Sequence, residues 1–169
     1  FALAPPRLAC LQARLAIDNG EDSWIARLFA IEYAGLFDAL DPGFSALDLP
    51  LPLGGTSNHF RVGALRAAGG WDAWNVTEDA DLGLRLARLG LSVETLDSTT
   101  WEEAPISVPA WLGQRGRWLK GWMQTLVVHS RAPARAMVEF GPWRALCAWA
   151  TIGGALASAL FLPLFLARI

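Results

Sequence analysis

The hydrophobic positions along the chain change period several times. Residues 8–15 (Leu-Ala-Cys-Leu-Gln-Ala-Arg-Leu) form a short apolar run after Pro5-Pro6 and predict a buried strand. Asp18, Asn19, Gly20 and Asp22 mark a turn, and Ser23 stands where it can cap a helix running to about Leu40. Within that helix Ile25, Leu28, Phe29, Leu36, Phe37 and Leu40 recur at three- and four-residue spacings, and Asp41-Pro42-Gly43 is expected to end it. Residues 44–60, rich in Pro, Gly and Ser, read as loop, and a short helix over 62–68 stops at Gly69-Gly70.

The clearest local signal follows. Thr77 predicts a helix start, Glu78, Asp79 and Asp81 fill the first turn, and Leu82, Leu86 and Leu89 form its buried side. Gly90 occupies the place of a left-handed cap, and residues 91–96 predict another strand. Strand–helix–strand alternation predicts an α/β sheet with its active edge at the loops.

Residues 109–130 predict a second amphipathic helix. The run from Ala145 to Ala167 is 23 residues without a charge, enough to cross a bilayer core of about 30 Å at about 1.5 Å per residue. Gly153-Gly154 and Pro163 are tolerated better in such a span than in a soluble helix. A buried core helix is the plainer alternative, but core helices rarely remain uncharged for so long. Three segments are therefore expected: 1–108 the α/β body, 109–140 an interfacial helix with a linker, and 143–168 a transmembrane helix. Arg131, Arg135 and Arg144 precede the span, and the positive-inside rule places residues 1–140 in the cytoplasm.

Composition agrees with a membrane setting: mean hydropathy is positive, 53% of residues are hydrophobic, nine are tryptophan and only 18% are charged. The near-neutral total hides an asymmetry, with a balance of −8 over residues 1–113 and +6 over residues 114–169. A basic, Trp-rich segment after an acidic body points to a membrane surface, whereas a nucleic-acid domain would carry its basic stripe on the body. Cys10 and Cys147, one in a strand and one in the apolar run, are not expected to pair. The chain opens on Phe1 and closes just past the apolar run, so both ends are expected to continue in a longer protein.

Two motifs carry candidate chemistry. Thr77-Glu78-Asp79 reads first as helix capping, since acids in a first turn gain roughly 0.3–1 kcal/mol from the helix dipole. It also offers a general base, because the helix terminus lowers a carboxylate pKa while neighbouring acids raise it, leaving an ionised group at neutral pH. In the second motif, Gln114-Arg115-Gly116-Arg117-Trp118, Gln114, Arg117, Trp118, Gly121 and Thr125 share one helical stripe. Trp111, Leu119, Trp122, Met123 and Leu126 make an adjacent apolar face suited to a membrane interface. Arg115 and Lys120 are expected to meet lipid phosphates and His129 lipid headgroups, whereas Arg117 and Trp118 can grip a diphosphate and stack a sugar.

With these motifs the chain resembles the family 2 inverting glycosyltransferases, in particular their membrane-integrated, cellulose synthase-like branch. Thr77-Glu78-Asp79 and Gln114–Trp118 match that branch in order, with 34 residues between Asp79 and Gln114. The loop Gly54-Gly55-Thr56-Ser57-Asn58-His59-Phe60-Arg61 is of a kind common in its bacterial members. The resemblance implies the C-terminal half of a nucleotide-diphospho-sugar transferase (GT-A-like) α/β domain, followed by the interfacial and transmembrane helices. It implies Asp79 as base on the acceptor hydroxyl, Thr77 and Glu78 shaping the acceptor end, Arg117 on the diphosphate, Trp118 stacked on the acceptor sugar and Gln114 orienting donor or acceptor. Thr56, Ser57, Asn58 and His59 correspond to an acceptor-lining segment, though their sequence departs from the Phe-Phe-Cys-Gly-Ser pattern of cellulose synthases.

Other expectations follow from the resemblance. The donor is a UDP- or GDP-linked sugar, the acceptor a growing glycan, and the setting a multi-pass inner (plasma) membrane protein. Mg²⁺ or Mn²⁺ would be held mainly by residues outside this chain, because Asp79-Ala80-Asp81 belongs to the helix start rather than to a metal motif, and the segment alone is expected to be inactive. Three alternatives stay open: transfer of a single sugar to a polyprenyl phosphate, a non-catalytic membrane module that binds glycan, and, from the acid pair Glu102-Glu103 beside Trp101, a glycosidase.

Overall fold

The computed structural model describes residues 1, 4–166 and 168. The chain is mixed α/β. Strand β1 (Leu8–Ile17) lies at the centre of a three-stranded sheet, between β2 (Asn58–Phe60), antiparallel to it, and β3 (Ser92–Glu102), parallel to it. Both partners exceed expectation: residues 58–60 are strand rather than loop, and β3 continues six residues past 96 to Glu102. Asp97, Ser98, Thr99 and Thr100 hid that extension, because their polar run shows no apolar alternation. Pairing with β1 holds them, after a register shift between Ala13↔Leu96 and Arg14↔Thr99.

Helix α1 (Trp24–Ala34) starts as expected, with the Ala26 N–H donating to Ser23 Oγ at 3.0 Å. It does not stop at Asp41-Pro42-Gly43. A π-helical stretch, Gly35–Leu40, carries the chain into α2 (Asp41–Ala46). Pro42 has no N–H to give, and its ring would crowd the carbonyl four residues back. The wider turn, in which Asp41 N–H reaches Leu36 O, accommodates both. Ile25, Ala26, Phe29, Tyr33 and Phe37 form the buried side. Leu28, Leu36 and Leu40, expected inside, are on the exposed side, since burial against β1 uses only one stripe.

Helix α3 (Val62–Ala67) leads through Gly69 and Gly70, both at positive φ, to α4 (Glu78–Arg88). Leu82 and Leu86 are fully buried as expected and Leu84 joins them, but Leu89, beyond the last turn, is half exposed. Gly90 adopts φ +72°. Thr77 stands at the N-cap position without capping: its hydroxyl donates to Asn75 Oδ1 at 3.4 Å, and the Ala80 N–H is taken by Asp79 Oδ1 at 2.7 Å.

Helices α5 (Val108–Ser130), α6 (Pro133–Phe140) and α7 (Pro142–Leu166) complete the chain, with Gly141 at φ +83° turning α6 into α7. Leu84 and Ala87 of α4 share a core with Ala136 and Phe140 of α6 and Ala145, Ala148, Ile152 and Leu156 of α7. Leu119, Trp122 and Leu126 pack on that core, and Trp111 and Trp118 pack on the one around β1 and α1. Most of the α5 face expected to meet lipid therefore meets protein, and of its residues Met123 is half exposed. The predicted end of the span, Ala167, lies outside the described residues.

Polar contacts fix α5 in place. Asn75 Nδ2 donates to Thr125 Oγ1 at 2.8 Å. Asp81 accepts from Arg85 Nε at 2.7 Å and meets His129 Nε2 at 2.9 Å, while Arg88 Nη1 approaches His129 Nδ1 at 3.3 Å. Arg88 can only donate, so Nδ1 accepts and Nε2 carries the proton given to Asp81. His129 is thus buried against α4 instead of facing headgroups, because an unpaired Asp81 would be costly at that depth. Burial works to raise the Asp81 pKa, but hydrogen bonds from His129 and Arg85 outweigh it and hold the carboxyl below its usual range.

Two glycines allow the close packing. A Cβ on Gly83 would overlap the Leu51 carbonyl, and one on Gly121 would lie 2.5 Å from both Thr77 Oγ1 and Cγ2. Gly83→Ala and Gly121→Ala are each expected to destabilise the intact protein by roughly 1–3 kcal/mol. Gly116→Ala, on the same helix as Gly121 but with nothing within 4 Å, should leave stability unchanged or raise it. Thermal unfolding of the three variants in membranes or detergent checks this, and equal midpoints for the two α5 variants would contradict the close approach of α5 to Thr77.

Candidate active site

The start of α4, the loop at 53–56, the end of β3, the α1–π segment and α5 enclose a cavity of about 310 Å³. Asp79, Thr77, Thr56, Gln114 and Trp118 line it. The helix periodicity that put Gln114 and Trp118 on one stripe thus brings them to the same opening as the Thr-Glu-Asp segment. Gly121, on that stripe, supplies the closeness. Glu78, Arg117, Ser57, Asn58 and His59 are outside the lining. Arg117 and His59 are exposed. Ser57, at φ +56°, is within hydrogen-bond distance of Thr100 Oγ1 at 2.6 Å, and Asn58 Nδ2 donates to the Gly54 carbonyl at 2.6 Å. The last two side chains shape the loop itself.

That loop is held from beneath by Gln12, a buried amide in the central strand. Its Nε2 donates to the Thr56 carbonyl at 3.0 Å and its Oε1 accepts the Gly54 N–H at 2.9 Å. Gly55 then comes so near the catalytic candidate that an added Cβ would sit 3.2 Å from Asp79 Oδ2. Sequence pattern gave Gln12 only as a strand residue. A lone amide inside an apolar strand is the signal that could have marked it, since buried amides need partners.

Burial, the largest influence, pushes the Asp79 carboxyl up to about 6; the Ala80 N–H works against it, and Glu78 adds to the rise. The group remains mostly ionised at neutral pH, with its proton affinity tuned toward that of a general base. Asp41, from the π-to-α junction, also lines the cavity and is pushed by burial up to about 7.

Arg115 is not directed at lipid. Its guanidinium grips Glu32 with two hydrogen bonds of 2.6 and 2.5 Å and lies over the rings of Trp118, Phe29 and Trp111, 4.7–5.8 Å from their centroids. A planar, weakly hydrated cation suits such a stack, which braces Trp118 from behind.

The sequence gives no sign of Tyr33 at the site and offers Glu102 only as half of the acid pair with Glu103. Glu102 Oε1 accepts from the Thr56 hydroxyl at 2.7 Å and Oε2 from the Tyr33 hydroxyl at 3.3 Å, and all three residues line the cavity. Burial and then the Glu102 charge drive the Tyr33 pKa above its usual value, so the phenol stays protonated and donates. Tyr33 falls on the buried stripe of α1, where a phenol calls for a polar partner. The place of Glu102 at this cavity was hidden because β3 was expected to end before it. Among the described residues no three His, Cys, Asp or Glu side chains converge as metal ligands do.

Comparison with known proteins fits this geometry. A family model described as "Glycosyl transferase family group 2" matches residues 1–169. "Probable glucomannan 4-beta-mannosyltransferase 1" of Arabidopsis thaliana is 29% identical over 122 residues, 72% of this chain and 22% of that protein. "Probable glucomannan 4-beta-mannosyltransferase 10" of the same plant is 30% identical over an equal share of each. "Probable glycosyltransferase YdaM" of Bacillus subtilis (strain 168) is 34% identical over 68 residues, 40% of this chain and 16% of that protein. The matched part thus spans about a fifth of these relatives' own length. A family match along the whole chain, with both motifs meeting at one cavity, leads to one assignment: the chain belongs to the family 2 glycosyltransferases, on their cellulose synthase-like branch.

Proposed function

We propose that this chain is the acceptor-side part of a membrane-bound transferase that moves a hexose from a nucleotide-sugar to a growing polysaccharide with inversion. The observation that carries the reading is Asp79: a half-buried carboxylate at a helix start, inside a cavity with an indole wall, with its pKa raised to about 6. In the proposed reaction Asp79 takes the proton from an acceptor hydroxyl as that oxygen attacks the anomeric carbon from the face opposite the departing nucleoside diphosphate. Attack from the opposite face inverts that carbon. Trp118 offers its ring to the acceptor sugar, with Gln114 and Thr77 beside it. Arg117, exposed outside the cavity, is free to meet the diphosphate. The names of the plant relatives make mannose from GDP-mannose one donor to try and glucose from UDP-glucose another. A divalent ion, Mg²⁺ or Mn²⁺, would be held by residues beyond this chain, and no step above depends on its position.

The membrane part of the proposal rests on α7. Pro142–Phe161 is 20 residues with a mean hydropathy of 1.4 and only 17% of its most apolar stretch buried, unlike a core helix. Trp143, Leu146, Leu160 and Phe161 are exposed on it, and Leu112, Met123 and Val127 on α5. Two of the three flanking arginines have acidic partners, Arg135 with Glu139 at 2.6 Å and Arg144 with Asp48 at 4.0 Å. The orientation with residues 1–140 in the cytoplasm rests on Arg131, Arg135 and Arg144 together, because the positive-inside rule counts Lys and Arg close to the span whether or not acids pair with them.

With the full-length protein in membranes and GDP-mannose and UDP-glucose as donors, Asp79→Asn is expected to cut polymer formation by about a hundredfold or more. Incorporation that survives this change would return Thr77-Glu78-Asp79 to a structural role. The base must be deprotonated to act, so kcat/KM should hold above the Asp79 pKa of about 6 and fall toward a tenfold loss per pH unit below it, roughly as a single titration requires. An acid limb near pH 4 would show that burial does not tune this carboxyl. The full-length protein should stay in the pellet after alkaline carbonate extraction, and release into the supernatant would contradict a membrane span.

A further inference from the structure

The cavity wall opposite the α4 start has a chemical character that the assignments above do not use. Glu102, Tyr33 and Thr56 form a chain in which both hydroxyls point their protons at one carboxylate, at 3.3 and 2.7 Å. Each Glu102 oxygen keeps acceptor capacity after receiving one bond, and the two hydroxyl oxygens, their protons committed, can only accept. The wall therefore presents acceptors and no free donor. Glu32, Asp41 and Asp79 add further carboxyls to the same lining, while Arg115, stacked on Trp118, is committed to Glu32 through both terminal nitrogens.

Such a surface selects its ligand. A diphosphate or a nucleotide would bring negative charge against the carboxylates of this wall. A metal ion would need converging ligands that the described residues do not provide. A neutral polyol brings hydroxyl protons in the spacing a carboxylate can take, and its ring face can lie on an indole such as Trp118. We infer that Glu102, oriented by Tyr33 and Thr56, receives two neighbouring hydroxyls of the acceptor saccharide and so helps to determine which sugar ring is accepted at the end of the growing chain. This rests on the transferase reading above, in which the cavity around Asp79 holds the acceptor. Tyr33 and Thr56 act through Glu102 as positioning residues.

The test uses the full-length protein in detergent, with equilibrium binding of mannohexaose and of cellohexaose measured calorimetrically in the absence of donor. Donor turnover to free nucleotide is measured in parallel. Wild type should bind at least one hexasaccharide. Glu102→Gln, which keeps shape but exchanges half of the acceptor capacity for an amide, should weaken that binding roughly tenfold or more while the donor KM moves less than about twofold. Tyr33→Phe should weaken it to a smaller degree and narrow the difference between the two hexasaccharides, and it carries the test if the Gln variant does not fold. Unchanged saccharide affinity in a folded Glu102→Gln protein would overturn the inference, as would equal loss of donor and saccharide binding or failure of wild type to bind either oligosaccharide. The two proposals fail separately: a wild type that forms no polymer from either donor sinks the transferase reading, an active Asp79→Asn sinks only the choice of base, and an active wild type beside an indifferent Glu102→Gln removes this inference alone.

Discussion

The approach of α5 to the start of α4 is the contact on which the rest of the site depends. Gly121 sits against Thr77 with no room for a methyl group. Asn75 joins the two sides by holding Thr125 with its amide nitrogen and the Thr77 N–H with its carbonyl oxygen. One turn further along, Asp81 and His129 make the same junction with a buried carboxylate and an imidazole. Each of these contacts would be expensive to leave half made, since an orphaned polar group at that depth costs about 1–3 kcal/mol. The helix carrying Gln114 and Trp118 is therefore locked in rotation and height relative to Asp79, which is what a cavity assembled from two distant motifs requires.

Electrostatics then divide the site. Four carboxyls line the cavity, while the cations of the Gln-Arg-Gly-Arg-Trp segment are either committed, as Arg115 is to Glu32, or outside, as Arg117 is. An acidic interior in which burial raises the Asp79 and Asp41 carboxyls suits, in the proposed reaction, a neutral polyol whose hydroxyl must lose a proton. A basic exterior suits a leaving diphosphate. The separation keeps Asp79, the proposed base, from being neutralised by an adjacent guanidinium, which would lower its pKa and weaken it as a proton acceptor.

The apolar tail is coupled to this arrangement through packing. Ala145, Ala148, Ile152 and Leu156 of α7 share one core with Leu84 and Ala87, which lie on α4, the helix whose first turn carries Asp79. Thr151 reaches the lining of the cavity itself. Whatever fixes α7, a bilayer in the proposed setting, also fixes α4, and the segment between α5 and α7 is not a loose linker: residues 133–140 form a helix of their own within that core.

Local chemistry along the chain determined much of this. The caps at Ser23 and Gly90, the helix after Thr77, the 23-residue uncharged run and the stripe shared by Gln114, Trp118, Gly121 and Thr125 follow from residue type and period, which act over a few residues. Tertiary structure decided what those signals cannot carry. The polar end of β3 is a strand because β1 pairs with it, and the helix runs through Pro42 because a π turn absorbs the missing donor. His129, Arg115 and the apolar face of α5 turn toward protein because partners from distant segments meet them there. Glu102 and Tyr33 reach Asp79's cavity through contacts spanning 69 residues of sequence. Periodicity names a face, but the side chain that finally covers it depends on long-range packing and on the cost of leaving buried polar groups unpaired.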